Sequence, residues 1–92
     1  MRATSGTVCY NIPLPKGYKL KDAVPLQIQE TFDGDFIVEC PIFDEYGYGS
    51  SYQEALSDLG TSIVDLWQSL KRRRNLGEPL RAVFDALNEY IE

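Results

Sequence analysis

The hydrophobic period of this chain changes once, near Ser51, from about 2 to about 3.6 residues, and that switch limits the fold more than any other feature. Before it, Leu26, Ile28 and Phe32 alternate with Gln27, Gln29 and Thr31, with Glu30 the exception on the apolar side. That alternation predicts a half-buried strand. Asp33-Gly34 follows and predicts a hairpin with a type I′ turn, in which both central residues need positive φ. Phe36, Val38 and Cys40 then alternate with Ile37 and Glu39 in a return strand, which Pro41 closes or leaves at an edge. Residues 43–48 predict a third strand, with Gly47 and Gly49 allowing bends or bulges.

Beyond the switch, Ser51-Tyr52-Gln53-Glu54 reads as a capping box that opens a long helix over 51–74. Leu56, Leu59, Ile63, Leu66, Trp67 and Leu70 recur at spacings of three and four on one stripe, and Trp67 reads as core. Gly77 reads as the stop, and Pro79 suits the first turn of a second helix over 78–91 with Leu80, Val83, Phe84, Leu87 and Ile91 on its stripe. This second helix packs either on its own sheet or across a dimer. Residues 1–21 form an N-terminal arm: 1–5 a frayed tail, 7–12 an edge strand or docked segment, 11–17 a Pro/Gly connector. Strands grouped before helices give a single α+β domain, a three- to four-stranded antiparallel sheet on one long helix with a second, C-terminal helix.

At 92 residues one domain buries a modest core, and association with further copies, as a homo-oligomer, is expected to assist it. No apolar run reaches the roughly 18–20 residues of a membrane span, and nothing at the N-terminus reads as a signal peptide, so a cytoplasmic location with no membrane contact is expected. The chain has no histidine, which removes the usual general base near neutral pH and any Ser-His or Cys-His pair. Cys9 and Cys40, far apart and without histidines, make a poor zinc site and read as free, mostly packed thiols. A non-enzymatic chain without a cofactor or metal is expected.

Charge is unevenly placed. The net charge is −5, yet no Lys or Arg occurs from Asp22 to Leu70, a span holding Asp22, Glu30, Asp33, Asp35, Glu39, Asp44, Glu45, Glu54, Asp58 and Asp65. The positives flank it: Arg2, Lys16, Lys19 and Lys21 before, Lys71, Arg72, Arg73, Arg74 and Arg81 after. An acidic middle repels phosphate and attracts a basic protein surface; it serves equally as a solvated face. Asp44 and Glu45 are candidate contacts for such a partner or part of a solvated loop. Tyr46, Tyr48 and Tyr52 are candidate contacts or cross-strand packing. Lys71, Arg72, Arg73 and Arg74 are candidate phosphate contacts, or a helix end whose charges suit the dipole. Asp33 and Asp35, with Glu39, offer a carboxylate site for Mg²⁺ or Mn²⁺; turn chemistry is the stronger reading of the aspartates.

The stretch Gly34-Asp35-Phe36-Ile37-Val38-Glu39-Cys40-Pro41, followed by Gly49-Ser50-Ser51-Tyr52-Gln53-Glu54-Ala55-Leu56, resembles the HicB-like antitoxin family over residues 24–70. The resembling features are a glycine and aromatic at a hairpin, a proline after the second strand, and a glycine, a hydroxyl cap and Glu-Ala opening the helix. The resemblance implies a truncated ribonuclease H-like fold lacking its catalytic carboxylates. It further implies a partner, a small basic HicA-like ribonuclease, neutralised by covering its RNA-binding face. Many such antitoxins also bind operator DNA, but residues 74–92 hold one apparent helix, too little for a helix-turn-helix. A nucleic-acid-binding regulator using residues 71–74 is the alternative, and an orphan module of this fold another.

Overall fold

A computed structural model describes residues 4–73 and 75–92. Four strands form one antiparallel sheet in sequence order, β1 (Thr4–Tyr10), β2 (Val24–Glu30), β3 (Phe36–Cys40) and β4 (Glu45–Gly49), followed by α1 (Tyr52–Lys71) and α2 (Glu78–Tyr90). The α+β expectation holds, with four strands. The edge strand read at 7–12 is β1, which starts at Thr4 and ends at Tyr10; residues 1–3 of the frayed tail lie outside the described residues.

Register follows the alternation. Val24 and Leu26 on β2 and Val38 and Cys40 on β3 face inward and are fully buried. Opposite residues of an antiparallel pair share a face. Val8, paired with Leu26, and Tyr10, paired with Val24, therefore lie on the inward side of β1. Pro25 stands in a strand with neighbours on both sides, but β3 pairs with β2 only from Gln27 onward, so the missing amide disturbs no β2–β3 pairing.

The β2–β3 hairpin forms, but not with the type I′ turn that Asp33-Gly34 predicts. Gly34 has φ 87°, whereas Asp33 is not among the residues of positive φ. The loop is longer: the Gly34 amide donates to the Thr31 carbonyl at 3.0 Å, and the Asp35 amide to Thr31 Oγ1 at 3.1 Å. A turn over 31–34 followed by a left-handed glycine is the longer-loop solution. It pulls Phe32 out of the strand, so this ring does not join Leu26 and Ile28 inside but stands 65% exposed.

Ser51 caps α1, its hydroxyl accepting the Glu54 amide at 3.1 Å. The Glu54 carboxylate, however, accepts from the amide and hydroxyl of Ser50 rather than from the amide of the cap residue. α1 buries Ala55, Leu56, Leu59, Ile63, Val64 and Leu70 and packs chiefly on β4, then on β3. Its approach to β4 is close enough that a Cβ on Gly47 would overlap the Ala55 carbonyl oxygen, and one on Gly49 would sit 2.6 Å from the Ala55 nitrogen. The two glycines therefore serve close packing, and the β3–β4 ladder runs through them without a bulge. The third strand begins at Glu45, two residues later than expected; Phe43 sits fully buried in the preceding turn, edge-on to Tyr90.

The connector 11–23 lies along α1 and closes the core over β2. Ile12 and Leu20 are buried, and a Cβ on Gly60 would overlap the Pro13 carbonyl. Gly60 is thus the helix position that lets this backbone in, which no periodicity announces. α2 packs within its own chain: Leu87 and Ile91 join the core, the Lys21 amide donates to the Tyr90 carbonyl at 2.7 Å, and the Glu92 amide donates to the Lys19 carbonyl at 2.8 Å. Gly77 serves as the N-cap of α2 rather than the stop of α1, which ends at Lys71 with Arg72 as its C-cap.

Candidate partner-binding face

The helices and the connector join the core on one side of the sheet, which leaves the other side to solvent. Two cross-strand rows run over that side: Gln27, Glu39 and Tyr46, then Gln29, Ile37 and Tyr48. Tyr46 is 62% exposed and Tyr48 46%. Both belong to β4 because Gly47 between them faces α1, so strand alternation turns the two phenol rings outward together. A third exposed ring, Phe32, stands in the turn between β2 and β3.

Carboxylates surround them. The turn between β3 and β4 leaves a depression of about 80 Å³ lined by Glu39, Cys40, Pro41, Asp44, Glu45 and Tyr46. Asp44 is exposed and occupies the left-handed region at φ 53°, which an aspartate tolerates better than most residues. Glu45 is half-buried, and burial, followed by the negative charge of Asp44, pushes its carboxyl above the usual range. At the other end of the row the Tyr48 hydroxyl donates to Asp35 Oδ2, and this hydrogen bond is the main cause of a phenol held above its ordinary value.

Of the five candidate partner contacts, Asp44, Glu45, Tyr46 and Tyr48 come together here. Tyr52 does not. It opens α1 on the inward side, its ring edge-on to Tyr10 and Phe36 at 6.3 Å each, and burial raises its phenol. Only Ser50 and Ser51 separate it from Gly49, but the chain crosses from strand to helix between them, so despite proximity in sequence it lies on the opposite face.

The basic candidates divide differently. Lys71 Nζ lies 4.3 Å from the centre of the Trp67 ring, and Arg72 Nε donates to the Gln68 carbonyl at 3.3 Å, so both are engaged by their own helix. Arg73 is exposed, and Arg74 lies outside the described residues. Trp67 is only half-buried: it is edge-on to Tyr18 at 5.1 Å, and its Nε1 donates to Asn88 Oδ1 at 3.0 Å. Asp33 and Asp35 serve the turn and Tyr48. Among the described residues no group of three or more Cys, Asp or Glu side chains is arranged to hold a metal ion. Both thiols are free; Cys40 is packed, and Cys9 is exposed rather than packed.

Two features escape pattern reading. Asp58, in the first half of α1, accepts the Tyr48 amide through Oδ2 at 2.9 Å and so occupies one backbone donor of β4. Phe32 fits the strand alternation but belongs to the turn; the glycine two positions later was the available signal. No described helix is long and apolar enough to cross a membrane. No family model, curated protein or solved structure matches this chain.

Proposed function

We propose that this chain is a non-enzymatic, cytoplasmic protein-binding module that receives a basic protein on the open β3–β4 face. In this reading it acts as a HicB-type antitoxin would, covering the RNA-binding surface of a HicA-like ribonuclease. One observation carries the reading: Tyr46 and Tyr48 stand exposed side by side next to a depression lined by Glu39, Asp44 and Glu45. Exposed tyrosines supply amphipathic contact area at low entropic cost, and aromatics are enriched where binding energy concentrates. The carboxylates add steering toward a cationic partner, which governs encounter rate and choice of partner more than final affinity. A lysine or arginine head group seated beside Glu45 favours its charged form. The resemblance over residues 24–70 supports the same partner class.

The phosphate-binding alternative has less behind it, since Lys71 stacks on Trp67 and Arg72 is bonded to its own helix. The test is titration calorimetry of the full chain against the product of the neighbouring gene. Tyr46→Ala is expected to weaken binding by about tenfold or more, and Lys71→Ala to leave it unchanged. No heat with that product, or equal loss from both variants, refutes the assignment; retardation of nucleic acid that depends on Lys71 and Arg73 favours the alternative.

A further inference from the structure

We propose that β1 is the interface between two copies of this chain, which pair β1 to β1 across a twofold axis into one continuous eight-stranded sheet. This proposal is independent of the partner face, which lies at the other end of the sheet.

The argument begins with what a strand edge requires. An outer strand presents a row of backbone donors and acceptors, and folds that stay monomeric blunt the row with charge, proline, a bulge or a covering element. The β4 edge is blunted: α1 leans on it through Gly47 and Gly49, and Asp58 occupies the Tyr48 amide. β1 has none of these devices. Its seven residues, TSGTVCY, contain no charge and no proline, and its register with β2 runs unbroken from Thr4↔Glu30 to Tyr10↔Val24. Among the described residues β2 is the only element that lies along it; α1 reaches it at one end alone, where the Tyr52 ring stands edge-on to Tyr10.

Side chains point to the same occupant. Val8 and Tyr10 lie on the inward side of the sheet, yet they are 41% and 42% exposed, because α1 packs on β3 and β4 and meets β1 only through the Tyr52 ring, edge-on to Tyr10. A partner that merely adds a strand satisfies the backbone but leaves this apolar shelf open. A second copy brings its own shelf. A twofold axis perpendicular to the sheet keeps the faces matched, so the Val8 and Tyr10 of both copies fall on one side, in a strip continuous between the two cores. Charge favours the same place. The chain carries a net charge of −5, so two copies repel, and β1 is the strand with no acidic residue to oppose their approach. Centring the axis on Thr7 pairs all seven residues, with Thr4 opposite Tyr10, Ser5 opposite Cys9 and Gly6 opposite Val8.

Light scattering on the purified full chain tests this. The expected mass is twice 10.4 kDa. The double variant Thr7→Lys/Val8→Lys is expected to be monomeric while keeping the helical circular dichroism of the parent. If that variant unfolds, a second measurement decides. Thr7→Cys in a Cys9→Ser background places two thiols opposite each other at the axis, within disulfide reach, and is expected to cross-link on mild oxidation. Asp65→Cys in the same background, on the exposed side of α1, is expected not to. A monomeric parent, a dimer that survives the folded double-lysine variant, or no cross-link at Thr7 overturns the proposal.

Discussion

β4 has a helix pressed on it through two glycines and lends its Tyr48 amide to Asp58, whereas β1, among the described residues, has β2 alongside and only the Tyr52 ring of α1 at its end, and leaves Val8 and Tyr10 about two-fifths exposed. Both are edges of one sheet, and they differ because α1 returns over the strand that precedes it. A strand joined to the next helix by Ser50 and Ser51 alone is covered by that helix at once; the first strand, four elements earlier in the chain, is left over. The covered edge can then carry charge and tyrosine on its free face without risk of strand addition. The open edge cannot, and it is the neutral one. In this fold, chain order decides which edge the helix covers and which it leaves uncovered.

A matched pair of glycines tests the contrast most strongly. Gly47→Ala drives a methyl into the Ala55 carbonyl and the Leu59 backbone, neither of which can yield without moving the helix. The expected loss is about 3 kcal/mol, at the upper end for an overpacked core, read as the denaturation midpoint. Gly6→Ala on β1 meets nothing within 4 Å and has no positive φ to violate. It is expected to change stability by about 0.5 kcal/mol or less, with either sign open to the gain from stiffening the unfolded chain. Similar losses at both positions break the comparison.

The next effect is smaller. Asp58→Ala removes the acceptor of the Tyr48 amide but leaves that amide accessible to water, so about 1 kcal/mol is expected rather than a buried-group penalty. A second consequence distinguishes this loss from a generic one: with its edge reopened, β4 offers donors to other chains, and slow concentration-dependent association is expected in light scattering. Asp58→Asn keeps an acceptor and is expected to keep the monodisperse species of the parent.

The edges also show what was legible in the sequence. The alternation at residues 24–40 and the stripe from Leu56 to Leu70 gave the sheet, its inward residues and α1, because burial on one face writes a period. Of the two readings of residues 7–12, edge strand or docked segment, the strand holds, shifted to Thr4–Tyr10; Asp44, Glu45, Tyr46 and Tyr48 stay near one another because neighbours in a short strand and its turn stay neighbours in space. Tyr52 was misplaced because the face it occupies is decided by where α1 lies. Gly47, Gly60 and Asp58 act across α1, on β4 or the connector, and long-range approach leaves no local pattern. The turn type failed for a related reason. Asp-Gly is compatible with more than one loop length, and the Thr31 side chain selected the longer one.

The smallest effect is electrostatic and confined to the closed edge. Glu45 opens β4 with its carboxyl pushed upward, first by burial and then by Asp44. A carboxyl whose folded pKa lies above its unfolded one binds its proton more tightly in the folded state. It therefore contributes stability below the unfolded value, near 4.3 for glutamate, and loses that contribution as pH rises through the folded value. At neutral pH the charged Glu45 is a net cost. Glu45→Gln removes that cost and is expected to raise the melting temperature at pH 7 by about a degree, small because the group is only half-buried and solvent still screens it. The gain is expected to fade as pH drops through the carboxylate range, where Glu45 becomes neutral anyway. On β1 there is no carboxylate to titrate, so Thr7→Ser shifts melting by the same amount at both ends of that range. A Glu45→Gln gain that persists unchanged at acid pH means that shape, not charge, governs the position, and the electrostatic half of the contrast between the edges fails.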